Sequence, residues 1–529
     1  MVDLDDVDAV VVGAGPNGLV AANVLADAGW RVLVCEAAPA PGGGVSSSEL
    51  AAPGYVADHC SAFHPLAAAS PALLSLRLED HGLRWRHAPA VLAHVFPDGR
   101  HAVMSRRTED TARSLGGFSP ADEEAWHTEV AYWHRVRDDV LAALLTPFPP
   151  VRAGLRLART LGAGDLLRLA RMLTLPARTL ADERFAGDGA KALVSGCALH
   201  TDLGPDDAAG GVFGWLLTML GQDVGFPVPE GGAGRLTDAL VSRLTSRGGR
   251  IDCARPVRSV VVAGGQALGV RDAAGELVRA RRAVLADVPA PTLYRDLVGE
   301  AHLPARLVAD LARFRWDHAT VKVDWALSGP IPWSAGEVGG AGTVHLGADV
   351  NGMADFANDL ACGRLPRDPF VLLGQMTTAD PTRSPAGTEA VWAYTHAPRG
   401  LSWTSGLLAG VADRIEGLVE AQAPGFRSLV VGRAVTGPAD FEAHNPSLVE
   451  GAINAGTSAI HQQLVFRPLP GLGRADTVVD RLFLAGAAAH PGGGVHGAAG
   501  ANAARAALAR NGVPGYRVAM AAAHRLLHG

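Results

Sequence analysis

Apolar and polar positions change period several times along this chain, and each change marks an element. Residues 9–12 form an unbroken apolar run, as in a strand buried on both faces, and a glycine turn follows. Apolar positions at helical spacing then predict a helix over about 16–28, and a second strand over 31–35 stops at Glu36. The period becomes helical again from 119 to 182. Ser119 is placed to cap, Pro120 to open the helix, and Asp122, Glu123 and Glu124 to face the positive end of its dipole. Over 151–181 leucines recur at helical spacing beside Arg152, Arg156, Arg159, Arg168, Arg171 and Arg178, with Gly162 and Gly164 interrupting the run. Farther on, His94 and His101 having flanked the turn VFPDGR between two short strands, the strand period dominates. A glycine turn and an amphipathic helix occupy 226–247, and ARPVRSVVVAG, ALGVRDAAG and RRAVLADVP follow as strands. A helix over 303–319 leads to the strands TVKVDWAL, FVLLGQM and EAVWAYTHAP, separated by Pro/Gly-rich loops. Near the end come a strand over 482–485, a loop with Gly492, Gly493 and Gly494, and a small-residue helix from about Gly497 that Asn511 and Gly512 stop.

These elements concentrate chemistry at the two ends of the chain. Gly13, Gly15 and Gly18 fill G-x-G-x-x-G between a strand and a helix, with Pro16 and Asn17 opening the helix. The first glycine permits the turn, the second lets a pyrophosphate approach the backbone, and the third lets helix and strand pack. Unpaired amides at the helix start then face the phosphates. Glu36 is placed to accept a ribose 2′-OH, and an acid there favours FAD or NAD over NADP. Gly42, Gly43 and Gly44 follow at once, where FAD proteins of the glutathione-reductase kind pass the cofactor again. The turn at 226–247 lacks a preceding strand and the final glycine, so it is no nicotinamide site. The Ala/Gly helix near the end can approach a flat ring, and its amides can stabilise negative charge on a reduced flavin. The strands between are the natural substrate lobe, where Trp325, Trp333, Trp392 and Tyr394 are the aromatic candidates and core packing is the favoured role for each.

Composition narrows the partners. With 529 residues the chain has room for about three domains or two interleaved lobes. A net charge of −6 gives no global electrostatic case for nucleic acid. Cys35, Cys60, Cys197, Cys253 and Cys362 show neither a C-x-x-C pair nor a metal spacing, which suits a reducing cytoplasm and a protein without a metal. The acidic start MVDLDDVDAV is no signal-peptide start, and the apolar run 208–221 is too short to span a bilayer. The basic stretch 151–181 reads as a solvated arginine face over a leucine core, ahead of a membrane-surface helix or a lid.

GAGPNGLVAANVLADAG, the Gly42–Gly44 cluster, CSAFHPL, FPVPEGGAGRLTDAL, VKVDWAL, HNPSLVEGAIN and AGAAAHPGGGVHGAAGANAAR together resemble the phytoene desaturase-like FAD-dependent oxidoreductases. They resemble in particular the bacterial branch close to pyridine nucleotide-disulfide oxidoreductase domain-containing proteins. The resemblance implies an α/β fold, a glutathione-reductase-type (Rossmann-like) FAD-binding domain interleaved with a mixed α+β substrate lobe. The FAD domain would take 1–65, 226–300 and 471–529, and the lobe 66–225 and 301–470. By position, Gly13, Gly15 and Gly18 would hold the pyrophosphate, Glu36 with Ala37 the adenosine ribose, Val257 the adenine, and Gly486 the phosphate-to-ribityl stretch. Gly493, Gly494 and Val495 would adjoin the isoalloxazine. His490 matches the HPGGG form of the carotenoid desaturases and His496 the GGGVHG form of the other branch. The family's arginine after the second glycine cluster is missing, replaced by Val45, Ser46, Ser47 and Ser48.

The activity implied is dehydrogenation or desaturation of an apolar or secondary-metabolite small molecule, with hydride passing to flavin N5 and reoxidation by dioxygen or a quinone. His64, His490 and His496 are the candidates for a base. A redox-neutral flavin-dependent isomerase and a non-enzymatic prenyl-lipid carrier are the rival readings. The expected setting is the cytoplasm, with peripheral membrane contact as the alternative that the basic stretch 151–181 leaves open.

Overall fold

A computed structural model describes residues 7–529; the acidic residues 1–6, on which the reading of the N-terminus rests, lie outside the described residues. Two seven-stranded sheets organise the chain. In the first, Val7–Val12 runs parallel to Val32–Cys35 on one side and Leu277–Ala286 on the other. Arg250–Asp252 adds beyond Val32–Cys35, and Leu482–Leu484 lies parallel to the end of Leu277–Ala286. The hairpin Val257–Ala263 and Gln266–Asp272 joins the beginning of that same strand in antiparallel sense. All six residues of Val7–Val12 are buried, which explains a strand without polar alternation. Helices Pro16–Asp27, Gly234–Ser246 and Ala498–Gly512 share one apolar core with one face of this sheet.

The second sheet runs in the order Val430–Thr436, Ala319–Leu327, Glu389–Ala397, Val371–Gln375, Ala341–Leu346, Ala90–Val95 and His101–Met104. Only its contact between Ala341–Leu346 and Ala90–Val95 is parallel. One face packs on helix Ser405–Gln422 through Val321, Val323, Val344, Leu373 and Ile415. Two of the aromatic candidates belong to the core, as favoured: Trp325 donates its indole N–H to Glu416 (3.2 Å) and Trp333 to Gln375 (3.0 Å). The other face carries Thr343, His345, Trp392 and Tyr394 and borders a cavity.

The helical pattern over 119–182 takes the form of three helices, Ala121–Leu145, Val151–Met172 and Ala177–Arg184, broken at the proline-rich Thr146–Pro150 and again ahead of Pro176. Three expectations need correction. Gly162 does break the second helix, with φ 70°, but Gly164 does not. Ser119 makes no side-chain cap; Asp122 instead accepts the Ala186 and Gly187 amides (2.8 and 2.9 Å) ahead of helix Asp188–Leu199. The helix expected over 303–319 is only Ala305–Leu311, since Asp317 accepts the Asn454 and Gly456 amides (2.8 and 2.9 Å) and Ala319 already pairs with Ala397. Arg156 and Arg171 pair with Asp139 (2.8 Å) and Glu183 (2.6 Å) over buried Leu157, Leu161 and Leu169, the solvated arginine face over leucines that the sequence favours.

A buried ionic chain ties the second sheet to the hairpin of Ser47–Glu49 and Val56–Asp58 and to the start of helix Gly234–Ser246. Asp58 accepts from Arg383 (2.5 Å), Ser47 (2.6 Å) and the Ala233 amide (2.8 Å), while Lys322 donates to Asp324 (2.6 Å) and to the Asp58 carbonyl (2.8 Å). Removing one member strands the others in a low-dielectric interior, which costs about 3–5 kcal/mol. Arg383→Met is therefore expected to lower unfolding stability by that amount in a denaturant titration; an unchanged midpoint would show that the pair adds nothing to the junction.

Candidate active site

The strand Val7–Val12 ends in a turn that only glycine fits. Gly13 has φ +94°, and a Cβ there would lie 2.8 Å from the Asp287 carbonyl oxygen; a Cβ on Gly18 would strike the Gly13 oxygen. Helix Pro16–Asp27 starts at Gly15 with no cap from its own N-cap side chain. Glu36, at the end of Val32–Cys35, accepts the Ala14 amide (2.6 Å) and the Ala38 amide (2.8 Å). The segment before Val257 runs beside it, with Arg255 donating to the Glu36 carbonyl and Ala254 to that of Ala38 (both 2.8 Å). Val257, half-buried, opens the adjoining strand; Ala37 is exposed. The second glycine cluster lies on the first: Gly42 donates to Ala14 (3.0 Å), and a Cβ on Gly43 would sit 3.3 Å from Gly15. Gly44 passes Cys60, and Gly486 abuts Asp287 and Val288.

Asp287 is the residue that the sequence reading missed. Its carboxylate accepts the Gly18 amide (2.7 Å) and lies 2.7 Å from where a Gly15 Cβ would be. Burial pushes this carboxyl up to about 7, the charge of Glu36 adds to the rise, and the Gly18 amide opposes it. The signal was present, since RRAVLADVP places an acid directly after a buried strand. Its meaning depends on the pairing of Ala286 with Val12, which local sequence does not reveal.

The chain returns at the C-terminal end. Gly492, Gly494, Val495 and Gly497 all have positive φ, at 122°, 118°, 51° and 66°, and helix Ala498–Gly512 starts from that loop. A Cβ on Gly500 would overlap the Asn17 carbonyl oxygen, so this helix touches the fingerprint helix backbone to backbone. Arg467 secures the loop from behind, donating to the carbonyls of Ala487 (2.8 Å), Thr457 (3.0 Å) and Asn454 (3.1 Å). Burial lowers it to about 10, against the raising influence of Asp317 and Asp202. A cavity of about 250 Å³ opens in front, lined by Gly492–His496, Phe63, Leu216, Phe226, Trp392 and Tyr394 among others.

The three candidate histidines are placed differently. His496 lines this cavity, but its Nε2 meets the Gly492 carbonyl (3.0 Å) and its Nδ1 accepts the Ala498 amide (3.0 Å), so both nitrogens are engaged. His490 lies off the cavity against the Thr146 carbonyl (3.0 Å), and His64 lies off it beside Ser61 (3.1 Å). Burial lowers all three to about 4, so all are neutral at pH 7. The loop without the arginine is held by two other histidines, Ser46 meeting His444 (3.1 Å) and Ser48 meeting His59 (2.8 Å). Their rings stack at 4.1 Å and burial lowers both, so an uncharged pair stands there. Among the described residues no cluster of ligands suits a metal ion.

The residues fit FAD. Glycines from three distant segments bring bare backbone together, with the Asp287 carboxyl beside Gly15 and Gly18, and the buried Asn17 Oδ1 and Asn454 Nδ2 next to the first and last of these segments have no protein partner. Such a fold and cradle define a two-lobed flavoprotein oxidoreductase. The chain belongs to the flavin containing amine oxidoreductase family, whose profile matches residues 17–331. It is 28% identical to mouse pyridine nucleotide-disulfide oxidoreductase domain-containing protein 2, over 94% of this chain and 92% of that protein. It is 26% identical to the lycopene-forming phytoene desaturase of Pseudescherichia vulneris, over 94% and 98%. An oxidoreductase from Methanosarcina mazei shares the fold at TM-score 0.61 and 16% identity, over 94% of this chain and 99% of the other. Putrescine oxidase bound to putrescine does so at 0.59 and 17%, over 95% and 98%. The protein is an FAD-dependent oxidoreductase, as the resemblance implies.

Asp287 gives FAD binding a pH dependence. A carboxyl that titrates near 7 when native and near 4 when unfolded stabilises the fold fully below about 4, and that contribution is lost as pH rises through 7. A pyrophosphate held at the start of this helix would lie near the Asp287 carboxyl and favour its neutral form, so binding is expected to take up a proton above pH 7. FAD affinity of the apoprotein, followed by quenching of flavin fluorescence, is expected to fall by up to about tenfold per pH unit above 7. Asp287→Asn should flatten the profile; an equal slope in both proteins would remove Asp287 from the linkage.

Proposed function

We propose that the protein dehydrogenates or desaturates an apolar or secondary-metabolite small molecule. The observation that carries this reading is the cavity wall: among the described residues, no Asp, Glu, Lys or Arg lines it, while leucines and aromatic rings do. Relatives named as phytoene desaturases, neurosporene-forming, lycopene-forming and zeta-carotene-forming, support an apolar substrate and a two-electron reaction. FAD, when bound, supplies the hydride acceptor at N5. The chain's own part is to orient a C–H bond in front of Gly492–Val495 and to exclude water there. His496 keeps the loop in shape through its two hydrogen bonds, so the second proton leaves to solvent or to another cavity group.

Dioxygen or a quinone is the acceptor in this reading. The glycine turn at 231–234 offers no second dinucleotide site, because Asp58 already takes the Ala233 amide (2.8 Å) and Ser47 the Gly234 amide (3.0 Å). No helix of the described residues is long and apolar enough to cross a membrane. Helix Val151–Met172 exposes Val151, Leu155 and Leu167, but its Arg156 and Arg171 pair with Asp139 and Glu183, so peripheral membrane contact stands behind a solvated face as the second reading of this helix.

Anaerobic titration with apolar candidates is expected to bleach the visible flavin band with a true substrate and to yield a product lighter by two hydrogens. A product of unchanged mass would instead favour the redox-neutral isomerase.

A further inference from the structure

The cavity has two unlike walls. Leu66, Leu145 and Leu216 make one of them apolar. The other is the open face of the second sheet, where alternation puts Thr343 and His345 on one side of Ala341–Leu346, and Trp392 and Tyr394 on one side of Glu389–Ala397. Gly374 stands between Thr343 and Trp392 in the ladder, and the Trp392 indole lies across the space a side chain would fill.

Thr343 is 1% exposed, lines the cavity, and its hydroxyl has no hydrogen-bond partner. His200 reaches the same cavity from the end of helix Asp188–Leu199, and its Nε2 lies 2.8 Å from His345 Nε2. Burial lowers His200 to about 3 and His345 well below its ordinary value, so two neutral rings share one proton between them. One Nε2 donates and the other accepts, and this is the one hydrogen bond that the His200 ring makes among the described residues, while His345 Nδ1 is buried without a partner. Whichever tautomer holds, His200 and Thr343 retain an unfilled donor or acceptor.

A bare hydrocarbon leaves these groups unsatisfied. An ammonium or a carboxylate would enter a cavity with no opposite charge in its wall. A hydroxyl or carbonyl answers both conditions, because it is uncharged and can complete the hydrogen bonds of Thr343 and His200. We propose that the substrate is a neutral oxygen-bearing apolar molecule, whose hydroxyl or carbonyl is received by Thr343 and His200 while its apolar body lies against the Leu216 wall. His345 is a positioning residue that fixes the His200 ring. This rests on the FAD-dependent reading of the same cavity and names the substrate class within it.

The FAD-loaded full-length protein, kept oxidised, is titrated with three probes of one skeleton: n-butylbenzene, 4-phenyl-1-butanol and 4-phenylbutylammonium. The visible flavin difference spectrum reports binding. The alcohol is expected to bind about tenfold tighter than the other two. Thr343→Val, which keeps shape and removes only the hydroxyl, and His200→Phe should each erase most of that preference and leave n-butylbenzene affinity unchanged; retained flavin absorbance shows that each variant is folded. The proposal is overturned if the hydrocarbon or the ammonium binds as tightly as the alcohol, if both variants keep the preference, or if no probe perturbs the flavin up to its solubility. Since the titration needs no turnover, it can fail while the flavin is still reduced by some other substrate, and loss of the dehydrogenase reading would leave a measured preference standing.

Discussion

The contact between Gly500 and the Asn17 carbonyl is where the two ends of the chain meet, and the site depends on it. Helices Pro16–Asp27 and Ala498–Gly512 approach so closely that one methyl group would hold them apart. This closeness puts the fingerprint turn, the Gly42–Gly44 cluster and the Gly492–Gly497 loop along one path. Glycine in a helix is entropically costly, and the return here is a backbone surface that side chains would otherwise cover. The Ala/Gly composition of the last core helix follows from that constraint.

A second tie keeps the cavity in register with the cradle. Asp58 belongs to the segment that follows the glycine cluster, yet its partner Lys322 belongs to the second sheet, Arg383 to the short helix Pro381–Arg383 that precedes the strand Glu389–Ala397, and Ala233 to the start of the helix behind the first sheet. Charges buried this deeply tolerate little displacement, because any movement leaves one of them unpaired. A polar junction therefore ties the second sheet to the glycine-rich segment before Asp58, and the loop that would have carried an arginine is held by neutral histidines beside it.

Elements with a local cause were legible in the sequence. The strand–turn–helix–strand unit expected over 9–12, 16–28 and 31–35 stands at Val7–Val12, Pro16–Asp27 and Val32–Cys35, because apolar period and glycine spacing are local signals. The C-terminal helix was legible for the same reason. Features that depend on long-range pairing were not. Asp287 gains its meaning from a parallel partner far back in the chain, and Thr343, His345 and His200 meet only after sheet and helix assemble. Residues 303–319 look helical until pairing draws the chain out at Ala319. Among the histidines, sequence pattern pointed to His64, His490 and His496; the ring that reaches the cavity with a single hydrogen bond among the described residues is His200.

If glycine segments from both ends of the chain, with the segment between them, build one FAD cradle, the flavin stoichiometry of the purified protein decides it, read from its visible absorbance after incubation with FAD and removal of the excess. One FAD should be retained per chain, and it should be lost when Gly500 is replaced by valine. A colourless protein that takes up no FAD, or a Gly500→Val variant that holds it as well as the parent, would contradict the shared cradle.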